Sequence, residues 1–200
     1  MDPVTQVQVP CGEPAPVGGG LVTWDGLTPP YSTIVVDPPW PLSKVPRRTR
    51  PNQGKRLDYS TMTMTDIANL PVGDLAADVC TLFLWTIDKY LYETRAILEG
   101  WGFSYHLTMA WDKTNGFAMY GFQRQTEFCL VGFRGKHDAY PTRRTIRTSV
   151  TSSVGRRHSV KPDAFFDMLD LLPGPRVELF ARSPRLGWDS WGKGYESEVT

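Results

Sequence analysis

Four consecutive residues, Asp37-Pro38-Pro39-Trp40, combine groups that could hold an aromatic amine. The carboxylate of Asp37 can accept one N–H, and the prolines, which have no N–H of their own, offer carbonyl oxygens that can accept another. Trp40 adds a flat ring on which a base could stack, at roughly 1–3 kcal/mol per base. The same four residues could instead form a tight turn ahead of a buried tryptophan.

Binding both protons of an exocyclic amine would change the reactivity of that amine. Its nitrogen lone pair is delocalised into the aromatic ring, which makes the nitrogen a poor nucleophile. Two acceptors can localise the pair so that it faces an incoming methyl group, and positioning with electrostatics then suffices without a metal or a covalent intermediate. The motif therefore predicts a site in which Asp37 and the Pro38 carbonyl orient an extruded purine for methylation.

The elements around the motif predict where it lies in the fold. A short apolar strand, Ser32–Val36, precedes Asp37 and ends there because paired prolines cannot continue a sheet. Further strands are predicted at 79–85, 103–111, 127–133 and 176–181, and helices at 65–69, 88–98 and 162–172. Alternating strands and helices indicate a single α/β domain with a mostly parallel sheet flanked by helices. Such sheets bind ligands at the carboxyl ends of their strands, where Asp37 is expected.

Two helices and two irregular segments receive more detailed predictions. Asp88 is the expected N-cap of the 88–98 helix, and Pro162 fits the first turn of the 162–172 helix. The side chains expected to face inward are Leu91, Ala96 and Leu98 in the first helix and Phe165, Phe166, Leu169 and Leu172 in the second. The aromatic, glycine-rich segment 116–125 is expected to be a loop, and 145–153 a mobile lid or a loop.

The amino-acid composition limits the classes of protein to which the chain can belong. The chain has 200 residues, 40% hydrophobic and 22% charged, which are ordinary values for one globular domain. Residues 1–20 have no periodicity and are expected to be a flexible leader ahead of a domain over 21–200. Apolar runs fall far short of the ~20 residues that a membrane helix needs. Cys80 and Cys129 lie in apolar runs and are expected to be reduced core residues of a cytoplasmic protein.

The basic residues are clustered although the net charge is only +1. Six lie within 43–56 and seven within 134–157, together more than half of the 22. Arginine predominates in both segments, which suits bidentate contacts with phosphate. The residues predicted to bind nucleic acid are Arg47, Arg48 and Lys55 in the first segment and Arg143, Arg144 and Arg147 in the second. Both segments could equally be solvated surface loops.

Further motifs follow the first one in a fixed order. They are Tyr59–Met62, Leu82–Trp85, Trp101–Phe103, Trp111–Asn115, Glu127–Gly132, His158–Asp163 and Glu178–Arg182. In this order the chain resembles the adenine-N6 methyltransferase family that includes the catalytic subunit of the eukaryotic messenger-RNA adenosine methyltransferase and its bacterial and phage relatives. The resemblance covers about residues 31–192, although Lys193 stands where relatives often carry Asn.

The resemblance implies a Rossmann-like methyltransferase fold with S-adenosylmethionine as methyl donor. It marks Asp37, Pro38, Pro39 and Trp40 as the catalytic residues and Asp37, Lys161, Glu178, Phe180 and Arg182 as cofactor-binding residues, with Lys161 on the methionine carboxylate. Tyr59 and Glu127 are implied to line the adenine pocket. Core packing for Tyr59 and a rim ion pair for Glu127 are the alternatives.

The resemblance to small stand-alone enzymes favours DNA as the substrate, in the cytoplasm of a bacterial or phage-infected cell. RNA stays open. A non-catalytic partner subunit is a second reading, although such subunits usually lose the aspartate that stands here as Asp37. Cytosine-N4 methylation is a third, but those relatives usually carry Ser-Pro-Pro-Tyr. A homodimer or partner subunit is expected to extend the nucleic-acid contact, and the three histidines lack the spacing of a zinc site, so no metal is expected.

Overall fold

An interior strand of the sheet carries the Asp37 motif at its carboxyl end. The structure is a computed structural model that describes residues 24–41, 61–119, 121–136, 146–151 and 161–192. Its strands are β1 (Tyr31–Val36), β2 (Ala76–Thr86), β3 (Ser104–Met119), β4 (Phe122–Arg134), β5 (Ser149–Thr151), β6 (Arg176–Leu179) and β7 (Asp189–Trp191). Its helices are α1 (Met64–Ala68), α2 (Leu91–Gly100) and α3 (Asp163–Leu169), with 3₁₀ turns at Val72–Leu75 and Asp88–Tyr90. The predicted leader and the first basic segment lie outside the described residues.

The described strands form one sheet in the order β5-β3-β4-β2-β1-β6-β7. β1 lies between β2 and β6 and is parallel to both, whereas β4 runs antiparallel to β2 and β3. β5 and β7 extend the edges as parallel strands. The mostly parallel α/β architecture of a Rossmann-like methyltransferase is therefore confirmed. Because Val36 pairs with Leu84 and Leu179, Asp37 emerges between the ends of two neighbouring strands.

Both faces of the sheet are buried, which explains the near-continuous apolar character of β1 and β2. Ile34 and Val36 of β1 point to one face and pack in a cluster that contains Leu98 of α2. Val35 points to the other face, into a cluster that contains Phe165 of α3. Alternate residues of a strand face opposite sides, so one strand supplies both cores. Burial of each such side chain contributes about 1.5–3 kcal/mol.

The predicted 162–172 helix exists as the shorter α3, which ends at Leu169, and the prediction for α2 was partly wrong. Phe165, Phe166, Leu169 and Leu172 are all buried, and Pro162 is the N-cap of α3 rather than part of its first turn. Asp88 starts a 3₁₀ turn, so α2 begins only at Leu91 and its buried residues are Thr94, Ile97 and Leu98. Ala96 is exposed and Leu91 half-buried. The polar Thr94 can be buried because its hydroxyl donates to the Tyr90 carbonyl at 2.6 Å.

Two segments expected to be irregular contain strands. Much of 116–125 continues β3 and β4 as a two-stranded ribbon that turns at Gly121, whose φ is 84°. Glycine at the turn accommodates this positive φ, and cross-strand bonds satisfy the backbone on either side. Within 145–153, β5 pairs with β3 at Ala110, Trp111 and Asp112. The short strand β7 was not predicted either. In each case pairing with a distant strand decides the conformation, which local composition does not report.

The cysteines are core residues, as predicted. Cys80 and Cys129 are buried, unpaired thiols in the described part of the chain. Burial raises the pKa of Cys80 to about 12 and the pKa of Cys129 well above its ordinary value, so both thiols stay protonated. Separately, no helix among the described residues has the length and apolar character needed to cross a membrane.

Arg134 belongs to the fold rather than to an exposed basic surface, although it begins the second basic segment. Its Nη1 donates to the Gly73 carbonyl at 2.7 Å and its Nη2 to the Trp101 carbonyl at 3.1 Å. The guanidinium also lies over the ring of Phe103, 5.0 Å from its centroid. Arg134 therefore fastens the end of β4 to the turn before β2 and to the turn after α2.

We expect Arg134→Met to lower the free energy of unfolding by about 2 kcal/mol, because two charge-assisted hydrogen bonds to backbone carbonyls are lost. The exposed Lys136 offers a matched control on the same segment. Lys136→Met should change the free energy by less than about 0.5 kcal/mol. Urea denaturation followed by circular dichroism measures both variants, and equal effects would contradict this role for Arg134.

Candidate active site

Charged side chains from separate segments meet at the carboxyl end of β1. Lys161, which precedes α3, places its Nζ 2.9 Å from Asp37 Oδ2 and 3.0 Å from Glu127 Oε2. Lys113 of β3 places its Nζ 2.8 Å from the other oxygen of Glu127, Oε1. The four residues form a row of alternating sign, Asp37–Lys161–Glu127–Lys113, which we call the charge row. The predicted residues Asp37, Glu127 and Lys161 are thus brought together, and Lys113 was missed.

The charge row lies in a largely buried setting. Lys161 is only 7% exposed, and its Nζ also lies 4.9 Å from the centroid of the Trp85 ring. Burial alone lowers the pKa of this lysine, but the negative charges of Asp37 and Glu127 and their hydrogen bonds outweigh it and raise the pKa above its ordinary value. A buried ammonium is stable only when paired in this way. Lys161 is therefore paired with two carboxylates at once.

Glu127 has cations on both of its oxygens. Burial acts to raise its pKa, whereas the charge of Lys161 and then the hydrogen bond and charge of Lys113 lower it below the ordinary value. The net effect is a lowered pKa, so Glu127 is ionised at neutral pH. An ionised carboxylate accepts hydrogen bonds and donates none, which suits recognition of an amine.

The Asp-Pro-Pro-Trp motif is anchored through its tryptophan. Trp40 is 5% exposed, its Nε1 donates to the Trp85 carbonyl at 3.0 Å, and its ring stacks on Tyr90 with centroids 5.6 Å apart. Trp40 therefore does not present the open ring face that stacking of a base requires. Its contacts instead tie the motif to the end of β2, which fixes the position of Asp37. Tyr90, which also donates to the Pro41 carbonyl, is a contributor that the sequence analysis missed.

The proline carbonyls already accept backbone hydrogen bonds. The Pro38 carbonyl accepts the N–H of Trp40 at 2.8 Å, and the Pro39 carbonyl accepts the N–H of Met62 at 2.9 Å. Each carbonyl oxygen has a second lone pair, so either can accept one more bond. The motif is thus a rigid backbone turn, and each of its two proline carbonyls already accepts one hydrogen bond.

A pocket opens beside Asp37. Its lining residues are Asp37, Lys161, Phe166, Glu178, Phe180, Arg182, Ser183 and Arg185. All five residues predicted to bind the cofactor are among them, and Phe166, Ser183 and Arg185 were not predicted.

The pocket combines carboxylates with cations. Burial and the nearby charge of Asp37 raise the pKa of Glu178 to about 7, although Arg185 and Lys161 act to lower it. Arg185 lies over the Phe166 ring, 3.9 Å from its centroid, and pairs with Asp163 at 3.1 Å. Its Nε is buried and has no hydrogen-bond partner among the described residues. A zwitterionic ligand with both a cationic and an anionic group fits this set of side chains.

Backbone strain is found beside the charge row and the pocket. Among the described residues, the non-glycine residues with positive φ are Thr114, at 58°, and Phe180, at 63°. Such conformations cost about 1–3 kcal/mol each and are concentrated at functional sites. Thr114 follows Lys113, and Phe180 lines the pocket. The strain therefore supports the location of the site.

The remaining predicted site residues do not reach this pocket or are not described. Arg147 is exposed, precedes β5 and is not among the residues that line the pocket. The positions of Tyr59, Arg47, Arg48, Lys55, Arg143 and Arg144 lie outside the described residues. The sequence held a signal for Lys113, because it lies two positions after Trp111 and alternate residues of a strand share a face. Nothing in the local sequence marked Arg185.

Comparison with known proteins identifies the family. The MT-A70 family model matches residues 31–194. The chain belongs to the MT-A70 family. The resemblance seen in the sequence is thereby confirmed, and with it the expected enzyme class, an S-adenosylmethionine-dependent adenine-N6 methyltransferase.

Three relatives illustrate the range of the MT-A70 family. Type II methyltransferase M.MunI of Mycoplasma sp is 32% identical over 180 residues, which cover 81% of this chain and 76% of the relative. The N(6)-adenosine-methyltransferase MT-A70-like protein of Arabidopsis thaliana is 30% identical over 81% of this chain and 23% of its own length. The human N(6)-adenosine-methyltransferase catalytic subunit METTL3 is 28% identical over 76% of this chain and 26% of its own. The chain thus spans about three quarters of the bacterial relative and about a quarter of the eukaryotic ones.

We expect Lys161→Met to lower the free energy of unfolding at pH 7 by about 3 kcal/mol, because two buried carboxylates lose their shared cation. The loss should shrink toward pH 4. Since the folded protein lowers the pKa of Glu127, stabilisation by its ionised form is full above the ordinary value of 4.5 and disappears as the pH falls through the lowered one. Urea denaturation at both pH values measures this.

The double variant Lys161→Met/Glu127→Gln is the control for that experiment. Removing one of the orphaned carboxylates should recover part of the loss at pH 7. A loss that is the same at pH 7 and pH 4, and unrelieved in the double variant, would show that Lys161 contributes packing rather than charge.

Proposed function

We propose that this MT-A70 protein transfers the methyl group of S-adenosylmethionine to N6 of adenine in DNA. The observation that carries the proposal is the position of Asp37, which belongs at once to the charge row and to the lining of the pocket. One carboxylate thus faces both the predicted amine site and the predicted cofactor site. A methyl group can pass between two ligands only where their sites meet.

The residues of the pocket fit S-adenosylmethionine, whose amino-acid part carries an ammonium and a carboxylate. When bound, the cofactor supplies a methyl group activated by a positively charged sulfur. Glu178 and Asp37 are assigned to its cationic groups, and Phe180 and Phe166 to its apolar surface. For its carboxylate, Arg185 joins Lys161 and Arg182 as a candidate, because Lys161 is already paired with two carboxylates whereas Arg185 has a buried Nε without a partner.

The amine of adenine is assigned to Asp37 and the Pro38 carbonyl. Lys161 holds Oδ2 of Asp37 by its salt bridge, and the second carboxylate oxygen is the acceptor proposed for one N–H of the amine. The second lone pair of the Pro38 carbonyl accepts the other. Transfer of the methyl group makes the nitrogen cationic, and it then readily loses a proton, so no strong base is required. Catalysis is positioning and electrostatics on a rigid motif.

Glu127 is assigned to the adenine pocket. Its carboxylate is ionised and lies 3.0 Å from Nζ of Lys161, which also holds Asp37. One lysine therefore positions both carboxylates. Because Trp40 is buried, stacking of the extruded base is assigned to a residue other than Trp40. Tyr59, which the resemblance implies to line the adenine pocket, is proposed for this role.

DNA is proposed over RNA on the basis of relatives and size. The relative that this chain matches over most of both lengths is named a Type II methyltransferase, whereas the adenosine-methyltransferases that it matches are about four times as long as the matched region. The resemblance to small stand-alone enzymes seen in the sequence also favours DNA. The basic segments are proposed to contact the phosphates, and a second copy or a partner subunit to extend that contact.

The decisive assay uses substrates that contain every short nucleotide sequence, because the recognition sequence is unknown. Unmethylated DNA amplified from a bacterial genome and RNA transcribed from it are each incubated with S-adenosylmethionine carrying a tritiated methyl group. Nucleosides from the products are then identified by mass spectrometry. N6-methyldeoxyadenosine is the expected product. Label in cytosine would overturn the adenine assignment, and label only in RNA would overturn DNA.

In this assay we expect Asp37→Ala to reduce methyl transfer by at least about 10²–10³-fold, because the group that orients the amine is lost. Cofactor binding, measured by calorimetry, should largely survive, since the other lining residues remain. Asp167→Ala, which removes an exposed carboxylate from α3, is the matched control and should retain full activity. Full activity of Asp37→Ala would rule out the mechanism.

The affinity for S-adenosylmethionine is expected to rise by roughly tenfold between pH 6 and pH 8. This change corresponds to the free energy of about one charge-assisted hydrogen bond. Glu178, whose pKa is raised to about 7, is mostly neutral at pH 6 and ionised at pH 8, when it attracts a cationic ligand. Glu178→Gln should keep the low affinity and lose this dependence. Calorimetry with both proteins separates Glu178 from titration of the cofactor itself, and parallel pH curves would contradict the assignment.

A further inference from the structure

Lys113 occupies its place because of strand geometry. Trp111 of β3 lies directly across from Glu127 of β4 in the antiparallel pairing. Alternate residues of a strand share a face, so Lys113, two positions after Trp111, points to the same side as Glu127. Its Nζ reaches Glu127 Oε1 at 2.8 Å and lies 5.8 Å from the centroid of the Trp111 ring. Both ends of this ion pair are about one-fifth exposed, at 20% and 18%.

A bulge in the ribbon fixes the backbone next to Lys113. The pairing passes from Asp112↔Thr126 to Phe117↔Arg124, so the four residues 113–116 of β3 face only Gln125 of β4. Oδ1 of Asp112 accepts the backbone N–H of Thr114 at 2.9 Å and the side-chain amide of Gln125 at 3.1 Å. Thr114 is held in the left-handed region, with φ of 58°. Bulges re-aim side chains next to active sites, and this one begins at the residue that holds Glu127.

The charge row explains why a second cation is needed. Lys161 alone would have to serve both Asp37 and Glu127, and a single positive charge cannot neutralise two carboxylates. Among the residues that the structure describes, the charged groups that face Glu127 are Lys161, from the segment before α3, and Lys113, from β3, with Asp37 behind Lys161. Two cations and two carboxylates balance. Lys113 is not among the residues that line the pocket beside Asp37.

We propose that Lys113 is a positioning residue of the methyl-transfer site, which holds the Glu127 carboxylate in place and keeps Lys161 paired with Asp37. Lys113 touches neither ligand in this assignment and acts through Glu127. The inference rests on the proposed function insofar as it gives Glu127 a role in binding adenine. The ion pair and its effect on Glu127 can be tested in the protein without any substrate.

The test compares Lys113→Met with Arg95→Met in the full chain. Arg95 forms a similar 2.9 Å ion pair with Glu99, but on the exposed surface of α2. Glutamate δ-carbons are labelled with ¹³C, the Glu127 resonance is assigned by its absence in Glu127→Gln, and its titration is followed by NMR. The pH profile of kcat/KM for methyl transfer and the Kd of S-adenosylmethionine are measured on the same proteins.

In Lys113→Met the titration midpoint of Glu127 should rise by about one pH unit, the scale of one nearby opposite charge. The acidic limb of the kcat/KM profile should shift upward with it, while the Kd of S-adenosylmethionine changes less than about twofold. Lys113→Arg should restore both, and Arg95→Met should change neither. An unshifted Glu127 titration, or a cofactor Kd that weakens as much as in Lys161→Met, would overturn the proposal. If the wild type methylates no adenine, the proposed function fails, and the NMR titration still decides the role of Lys113.

Discussion

A buried lysine held between two carboxylates is the interaction on which the site depends. Removing an ammonium and two carboxylates from water costs several kcal/mol per ion, and only close contacts on every side offset it. Lys161 meets this condition at 2.9 Å and 3.0 Å from its two partners. A well-packed apolar group would often stabilise a fold as well or better, so a buried ion pair is weak as a stability device. Its place beside a pocket makes a chemical role the better explanation.

The sheet supplies the frame that the charge row requires. Asp37 follows β1, Glu127 lies on β4, Lys113 lies on β3, and Lys161 precedes α3. Hydrogen-bonded register places Glu127 opposite Trp111, and Asp37 and Lys113 each directly follow a paired residue. A slip of one position would turn each of these side chains to the opposite face. The buried Trp40 likewise fixes the position of the motif after β1, because its Nε1 donates to the Trp85 carbonyl at the end of β2. Rigid anchoring is what catalysis by positioning demands.

Several particular residues show where local pattern was sufficient. The apolar run before Asp37 predicted β1 and its end, since the prolines stop the ladder whatever surrounds them. The inward face of α3 followed from helical spacing, with Phe165, Phe166 and Leu169 all buried. The five predicted cofactor residues line one pocket, although their chemical roles remain predictions. In each case the signal was periodicity, a backbone constraint or an ordered set of motifs.

Other residues show what only long-range contact could decide. Trp40 was predicted to stack a base and is a buried anchor, Arg134 begins a basic segment predicted to contact phosphates and binds backbone carbonyls, and Ala96 was predicted to face inward and is exposed. By itself, the sequence determined the family, the α/β class and the reactive motif, because these are written in local order and spacing. Only the tertiary structure decided that Lys161 serves two carboxylates and that Lys113 supports one of them. Those contacts join residues that are 14 to 124 positions apart along the chain, and no local physical rule connects such residues before the strands pair.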